Sequence, residues 1–173
     1  GGADLLLGAG AMDWFSGGAG ADTLSGLGAA DQLWGGAGND WIYGGDGNDA
    51  LYADGPAFDD MDDAEAANYL DGEAGNDSLF GGLGFDWLSG GAGLDFLFGA
   101  DGADTLDGGD GADTLDGGGG DDRIVLQDTA DRLDGGDGYD WLILSIGLFI
   151  DLGLSENQVT NGSWICLLYT SPS

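Results

Sequence analysis

Residues 17–43 read GGAGADTLS, GLGAADQLW and GGAGNDWIY, three consecutive nine-residue units in one register. In each unit the first residue is glycine, the sixth is aspartate and the eighth is a large apolar residue. Extended in both directions, the register covers fifteen units, and Asn68 alone replaces the sixth-position aspartate. The eighth position is large and apolar in every unit, from Leu6 to Leu142. Because chance does not keep three residue classes in phase for so long, the pattern predicts a repeat fold.

The sixth-position aspartates are the candidate metal ligands of the chain. They are Asp4, Asp13, Asp22, Asp31, Asp40, Asp49, Asp77, Asp86, Asp95, Asp104, Asp113, Asp122, Asp131 and Asp140.

The glycine spacing predicts short strands joined by tight turns. Glycines at the first, second and fourth positions permit positive φ and allow one turn to approach the next closely. In a three-residue strand the eighth position points to one side and the seventh and ninth to the other. Because glycine at this spacing disfavours a helix, we expect an all-β fold with a narrow apolar core.

The composition excludes several classes of function. The chain has 33 acidic residues, two arginines and no histidine, and its formal net charge is −31. This charge argues against nucleic acid or an anionic membrane surface as a partner. Without histidine there is no imidazole base and no histidine-ligated zinc site. No apolar run approaches the ~20 residues of a membrane span, and a single cysteine, Cys166, cannot form an internal disulfide.

The unit resembles the hemolysin-type calcium-binding nonapeptide of RTX (repeats-in-toxin) proteins over about residues 1–143. This resemblance implies a right-handed parallel β-roll, a β-solenoid in which six residues form a turn and three form a strand. Two nonapeptides then complete one coil of eighteen residues. Aspartates eighteen residues apart, such as Asp22 and Asp40, should therefore face each other.

Facing carboxylates require a cation, and a hard divalent ion with six to eight oxygen ligands fits carboxylates and peptide carbonyls. We therefore expect multiple Ca²⁺ ions. Fifteen units allow at most about 13 sites, and 13 ions would reduce the charge from −31 to about −5. The resemblance implies sites of carboxylates and turn carbonyls: Gly17, Ala19 and Asp22 with Gly36, Gly38 and Asp40, or the reverse pairing. The glycines implied in such turns are Gly17, Gly18, Gly20, Gly35, Gly36, Gly38, Gly81, Gly82, Gly84, Gly99, Gly102, Gly117, Gly118 and Gly120.

Some units depart from the pattern. The units at 63–71 and 126–134 lack the glycines, while Ala11 and Ala29 at the fourth position should resist positive φ. Residues 53–62 interrupt the period and predict an insertion loop. An acidic glycine-rich linker without ordered metal is the alternative to the roll, but the phased repeats argue against it.

Aromatic residues occupy many outward positions. One side is predicted to carry Trp14, Trp34, Tyr52, Phe80, Phe96 and Phe98, and the other Trp41, Tyr43, Tyr69, Trp87 and Trp141. Two interpretations stay open: the rings stack along the strands, or they form a platform for a glycan, a cell-surface target or another domain.

After the repeats, residues 144–165 predict a flanking segment that caps the apolar end of the roll. The last eight residues, 166–173, match the translation of a common transposase adaptor sequence, and we predict that they are sequencing read-through.

We expect the chain to be a fragment of a secreted bacterial protein that is structural and not itself catalytic. The resemblance implies export through type I secretion machinery and folding in extracellular calcium. Two alternatives are the tail of a secreted protease or lipase with its catalytic domain upstream, and an adhesin or glycan-binding module.

Overall fold

The computed structural model describes residues 1–55, 66–127, 130–144 and 162–168, and every regular element in these ranges is a β-strand. In chain order the strands are β1 Leu5–Leu7, β2 Trp14–Ala19, β3 Thr23–Gly28, β4 Gln32–Ala37, β5 Trp41–Asp46, β6 Ala50–Tyr52, β7 Tyr69–Ala74, β8 Ser78–Gly84, β9 Trp87–Gly93, β10 Phe96–Gly102, β11 Thr105–Gly111, β12 Thr114–Gly119, β13 Arg123–Leu126, β14 Arg132–Asp134, β15 Gly138–Leu144 and β16 Gly162–Leu168.

The strands form two sheets. One has nine strands in the order β1-β3-β5-β7-β9-β11-β13-β15-β16, and the other has seven in the order β14-β12-β10-β8-β6-β4-β2. All pairings between these strands are parallel. Successive strands up to β15 alternate between the sheets, so the chain winds as a parallel β-solenoid. The predicted all-β roll is confirmed.

The strand register gives the length of one coil. Leu24 pairs with Ile42 and Leu33 with Leu51, a separation of eighteen residues. Where the period is interrupted, Ile42 pairs with Leu70, and the eighth positions still align. Two nonapeptides per coil, as the resemblance implied, are therefore observed.

The core lies between the sheets and is built from the eighth positions. Eleven of these side chains are at most 1% exposed: Leu24, Leu33, Ile42, Leu51, Leu70, Leu79, Leu88, Leu97, Leu106, Leu115 and Ile124. Leu6, Phe15 and Leu133, near the ends of the described roll, are only partly buried against them. One apolar residue in every nine is therefore sufficient to form a continuous core cluster between the two sheets.

The outward aromatics lie on the two predicted sides. On the seven-stranded sheet Trp34 stacks on Tyr52, with ring centroids 5.4 Å apart and planes at 8°, and Tyr52 stacks on Phe80 at 4.9 Å and 6°. On the nine-stranded sheet Trp41 stacks on Tyr69 at 5.1 Å and 28°. In these stacks the ring faces contact each other along the ladder.

The interruption of the period lies within one turn. The peptide N–H of Ala53 donates to Phe80 O at 2.9 Å, as the first-position Gly8 N–H donates to Ser25 O at 2.7 Å. Ala66 O faces Gly84 as Gly84 O faces Gly102, which gives Ala66 the fourth position. Ala53 and Ala66 thus belong to the same turn. Of the insertion predicted at 53–62, residues 56–62 lie outside the described residues.

The described residues include only part of the C-terminal segment for which predictions were made. Strand β16 extends the nine-stranded sheet by pairing in parallel with β15, and Leu142 is the partner of Cys166. Residues 145–161 of the predicted cap lie outside the described residues, as do residues 169–173. The read-through origin of 166–173 stays a prediction. Nowhere in the described ranges does the structure contain a helix that could cross a membrane.

Candidate metal centre

The sixth-position residues form two rows, one in the turns before each sheet. Row A precedes the odd-numbered strands β1 to β13 and ends within β15, and row B precedes the even-numbered strands β2 to β14. Row A consists of Asp4, Asp22, Asp40, Asn68, Asp86, Asp104, Asp122 and Asp140, and row B of Asp13, Asp31, Asp49, Asp77, Asp95, Asp113 and Asp131.

Within each row, every residue is hydrogen-bonded to the next. The peptide N–H of Asp22 donates to Oδ1 of Asp40 at 2.8 Å, and that of Asp31 donates to Oδ1 of Asp49 at 2.8 Å. The same bond joins all thirteen neighbouring pairs, at 2.7 to 3.1 Å. The predicted neighbours, eighteen residues apart or 28 across the interruption, therefore lie together.

The second carboxylate oxygen, Oδ2, makes no such bond in many of these residues. It is buried without a hydrogen-bond partner in Asp22, Asp31, Asp49, Asp77, Asp86, Asp95, Asp104, Asp122 and Asp140. Buried polar atoms in folded proteins almost always have a partner, and rows of buried anions repel each other. These oxygens are therefore suited to a cation.

Burial changes the acidity of these carboxyl groups. Desolvation raises the pKa of Asp86 to about 8, the pKa values of Asp77 and Asp122 to about 7, and that of Asp104 to about 6. The backbone hydrogen bonds lower the same pKa values but do not cancel the effect of burial. Nearby carboxylates raise these pKa values further, as Asp104 does for Asp86 and Asp101 for Asp104. The charged forms are thus unfavourable in this environment unless positive charge is added.

A backbone carbonyl lies beside Oδ2 of Asp22, Asp31, Asp49, Asp77, Asp86, Asp95, Asp104 and Asp122. A Cβ added to Gly17 would approach both Asp22 Oδ2 and the Gly35 carbonyl oxygen, the latter at 2.6 Å. For Gly90 the corresponding distances are 2.6 Å to Asp95 Oδ2 and 2.6 Å to Gly108 O. Asp22 is thus brought to the first-position carbonyl of the next coil, which favours the reverse of the two pairings considered from the sequence.

The glycine positions serve two purposes. Among the described residues, most second and fourth positions have positive φ, as in Gly18 (100°) and Gly20 (134°), whereas the first positions do not. The expectation of positive φ at the first position is therefore wrong; glycine is needed there because a side chain would collide with oxygen atoms. Ala29 adopts a φ of 86° despite its side chain, and Ala11 is not among the residues with positive φ.

The predicted glycines divide accordingly. Gly17, Gly35, Gly81, Gly99 and Gly117 are first positions; Gly18, Gly36, Gly82 and Gly118 are second positions; Gly20, Gly38, Gly84, Gly102 and Gly120 are fourth positions. The prediction omitted first-position glycines with the same surroundings, which the period alone could have identified: Gly8, Gly26, Gly44, Gly72, Gly90, Gly108 and Gly135.

The donor set fits calcium. In the described part of the chain, no three histidine, cysteine, aspartate or glutamate side chains cluster to hold a metal by themselves, so a site must include backbone carbonyls. Carboxylate and carbonyl oxygens are the ligands of Ca²⁺, whereas zinc prefers nitrogen and sulfur and Mg²⁺ keeps several waters. The residues that would hold calcium are the row A and row B aspartates with the first-position carbonyls of the next coil.

Comparison with protein families gives one matching model, described as the RTX calcium-binding nonapeptide repeat (4 copies). It matches residues 1–33, 25–55, 59–88, 71–106, 80–115, 89–124 and 107–142, in overlapping copies. The comparison with curated proteins gives no match.

Proposed function

The chain belongs to the family of RTX calcium-binding nonapeptide repeats, and from this premise we propose that it is a structural module of a secreted protein that folds on binding extracellular calcium. The observation that carries the proposal is the double row of buried Oδ2 atoms without hydrogen-bond partners, eight of which lie beside a peptide carbonyl. Such rows are stable only when positive charge lies between the coils.

The chain's own residues explain why folding should depend on calcium. A net charge of −31 on 173 residues favours an expanded chain. Closing the coils brings aspartates such as Asp77 and Asp95 together and removes them from water. Calcium supplies the compensating charge when it is bound, so its binding free energy contributes directly to folding.

This coupling suits export. A chain that stays unfolded at low cytosolic calcium can pass through a narrow channel and fold outside the cell. We therefore infer export by type I secretion machinery and an extracellular location, both supported by the family membership.

The roll is a structural repeat architecture, and we place any catalysis in another part of the full protein. A secreted protease or lipase that ends in this module is the alternative to a structural protein. The rings of Trp34, Tyr52 and Phe80 stack on one another, which supports a structural ladder over a glycan platform at these three residues.

Circular dichroism of the chain during calcium titration tests the proposal. We expect a cooperative gain of β-signal with Ca²⁺, reversal by a chelator, and little response to the same concentration of Mg²⁺. A β-signal that is unchanged by the chelator would contradict it.

A further inference from the structure

One position of row A differs chemically from the others. Asn68 lies between Asp40 and Asp86 and is 3% exposed. Its Oδ1 accepts the peptide N–H of Asp40 at 2.8 Å, and its own N–H donates to Asp86 Oδ1 at 2.9 Å. Asn68 thus keeps the backbone connections of the row but lacks the negative charge.

The neighbouring backbone fixes the orientation of the Asn68 amide. The Asp40 peptide N–H is a donor, so the Asn68 atom that faces it must be the acceptor Oδ1, and Nδ2 must occupy the place that Oδ2 has in an aspartate. Nδ2 is buried, and the Asn68 side chain lies close enough to the Asp86 carboxyl to lower its pKa by hydrogen bonding. Where Asp22 and Asp104 present a carboxylate oxygen, Asn68 therefore presents an NH₂ group that repels a cation.

The first position of the same turn is also changed. The adjacent row A turns have Gly35 and Gly81 there, and a Cβ on Gly81 would lie 2.8 Å from Asp86 Oδ2 and 2.6 Å from Gly99 O. Ala53 carries such a Cβ, is 0% exposed and belongs to the apolar core cluster. A methyl group thus lies where the neighbouring turns have space bounded by oxygen atoms.

We propose that the first-position Ala53 and the sixth-position Asn68 form no calcium site on the side facing Asp86, and that row A is divided there into two separately loaded stretches, Asp4 to Asp40 and Asp86 to Asp140. This inference rests on the proposed calcium-binding function. Within the row a carboxylate connects two coils, because Oδ1 accepts from the preceding coil and Oδ2 lies beside a carbonyl of the following one, as in Asp22, Asp104 and Asp122. Occupancy of successive positions is thereby coupled, and the neutral amide of Asn68 with the methyl group of Ala53 interrupts the coupling.

Row B provides the internal comparison. Asp49 and Asp77 flank the same interruption of the sequence, both are aspartates, and Gly44 and Gly72 hold their first positions. The interruption therefore leaves the sixth-position aspartates and first-position glycines of row B unchanged. The change in row A comes from Asn68 and Ala53.

Among the residues of this turn that the structure describes, Asp54 is the carboxylate that must be considered as a replacement ligand. Its Oδ2 accepts the peptide N–H of Leu83 at 3.3 Å and lies against Gly82. Gly82 is a second-position residue, so this carboxylate is not held beside the first-position carbonyl as the sixth-position aspartates are.

The number of calcium ions bound per chain tests the inference. Equilibrium dialysis with radioactive calcium would compare the unchanged chain with Ala53→Gly, Asn68→Asp and the double variant. We expect one additional ion only in the double variant, because Asn68→Asp alone leaves the methyl group in place and Ala53→Gly alone leaves the amide. Asp54→Asn should leave the count unchanged. The converse double variant, Gly117→Ala with Asp122→Asn, should bind one ion fewer.

The possible results separate this inference from the proposed function. If the unchanged chain binds no calcium, the proposed function fails. If the chain binds calcium but Ala53→Gly with Asn68→Asp adds no ion or abolishes the calcium-induced β-signal, only the division of row A is overturned. Loss of an ion in Asp54→Asn overturns it as well. If the variant with Gly117→Ala and Asp122→Asn does not fold, the calcium count of the double variant with Ala53→Gly and Asn68→Asp decides, because this variant restores the residues found in the other turns.

Discussion

The peptide N–H of Asp86 donates to Oδ1 of Asp104 across 2.8 Å, while Oδ2 of Asp104 is buried without a hydrogen-bond partner. One carboxylate thus has two distinct roles: one oxygen connects it to the preceding coil, and the other is available to a cation. The same division holds for Asp22, Asp31, Asp49, Asp77, Asp86, Asp95, Asp122 and Asp140. It determines the effect that each substitution should have.

Replacing Asp104 with asparagine separates these roles. Asp104→Asn keeps an acceptor for Asp86 N–H but replaces Oδ2 with an NH₂ group. We expect one fewer calcium ion per chain and a higher calcium concentration at the midpoint of folding, measured by dialysis and circular dichroism. Asp110→Asn, which removes an exposed charge from the next turn, is the control. If both variants shift the calcium midpoint of folding equally, total charge and not the position of the carboxylate in row A determines calcium affinity.

The apolar row should dominate the stability of the calcium-loaded fold. Leu88 is 0% exposed, whereas Leu94 is 60% exposed. In saturating calcium, Leu88→Ala should lower the free energy of unfolding by about 2–5 kcal/mol, and Leu94→Ala should change it by about 0.5 kcal/mol or less. Urea denaturation measures both values. A similar loss in both variants would mean that the eighth positions do not form the core.

First-position glycines should not tolerate a side chain. A Cβ on Gly90 would lie 2.6 Å from both Asp95 Oδ2 and Gly108 O, but a Cβ on Gly119 has its nearest contact at 3.4 Å. Gly90→Ala should therefore destabilise the fold by about 1–3 kcal/mol and weaken calcium binding, while Gly119→Ala should be nearly neutral. Thermal denaturation with and without calcium tests this, and a neutral Gly90→Ala would refute the close approach of oxygen atoms.

Without added calcium, the roll should become more stable as the pH falls. The pKa values of Asp86, Asp77 and Asp122 are raised to about 8, 7 and 7 in the folded chain, above the ordinary value of 3.8. The folded state therefore binds more protons than the unfolded state between these limits, and its stability decreases as the pH rises through them.

Circular dichroism between pH 5.5 and 8.5 in the presence of a chelator measures this effect. The β-signal should increase on acidification, and Asp86→Asn should reduce the dependence more than Asp110→Asn. In calcium the trend should reverse, because protons compete with the ion for the same oxygens. A pH-independent signal in the chelator would contradict the burial of these carboxylates.

Much of the fold follows from the sequence because a strict period constrains the geometry. The eighth-position row from Leu24 to Ile124, the two rows of aspartates and the two aromatic sides all depend only on position within the nonapeptide. Once the coil length is eighteen residues, the neighbours of Asp22 or Trp34 follow without further information.

The finer features of the site could not be read from the period. The sequence does not show which oxygen of Asp104 faces the backbone, nor that Gly17 avoids a collision instead of adopting positive φ. It also placed Ala53 in an insertion, because the chain returns to its period only later. The hydrogen bond from Ala53 N to Phe80 O reveals that this residue belongs to the turn of Asn68.

The most direct test of the account is a crystal structure of the chain grown in calcium, with anomalous scattering used to locate the ions. We predict a file of calcium peaks along each row, beside Oδ2 of aspartates such as Asp22, Asp104 and Asp122 and the carbonyls of Gly35, Gly117 and Gly135. A folded roll in which these oxygens carry no calcium and bond instead to water or protein donors would contradict the account.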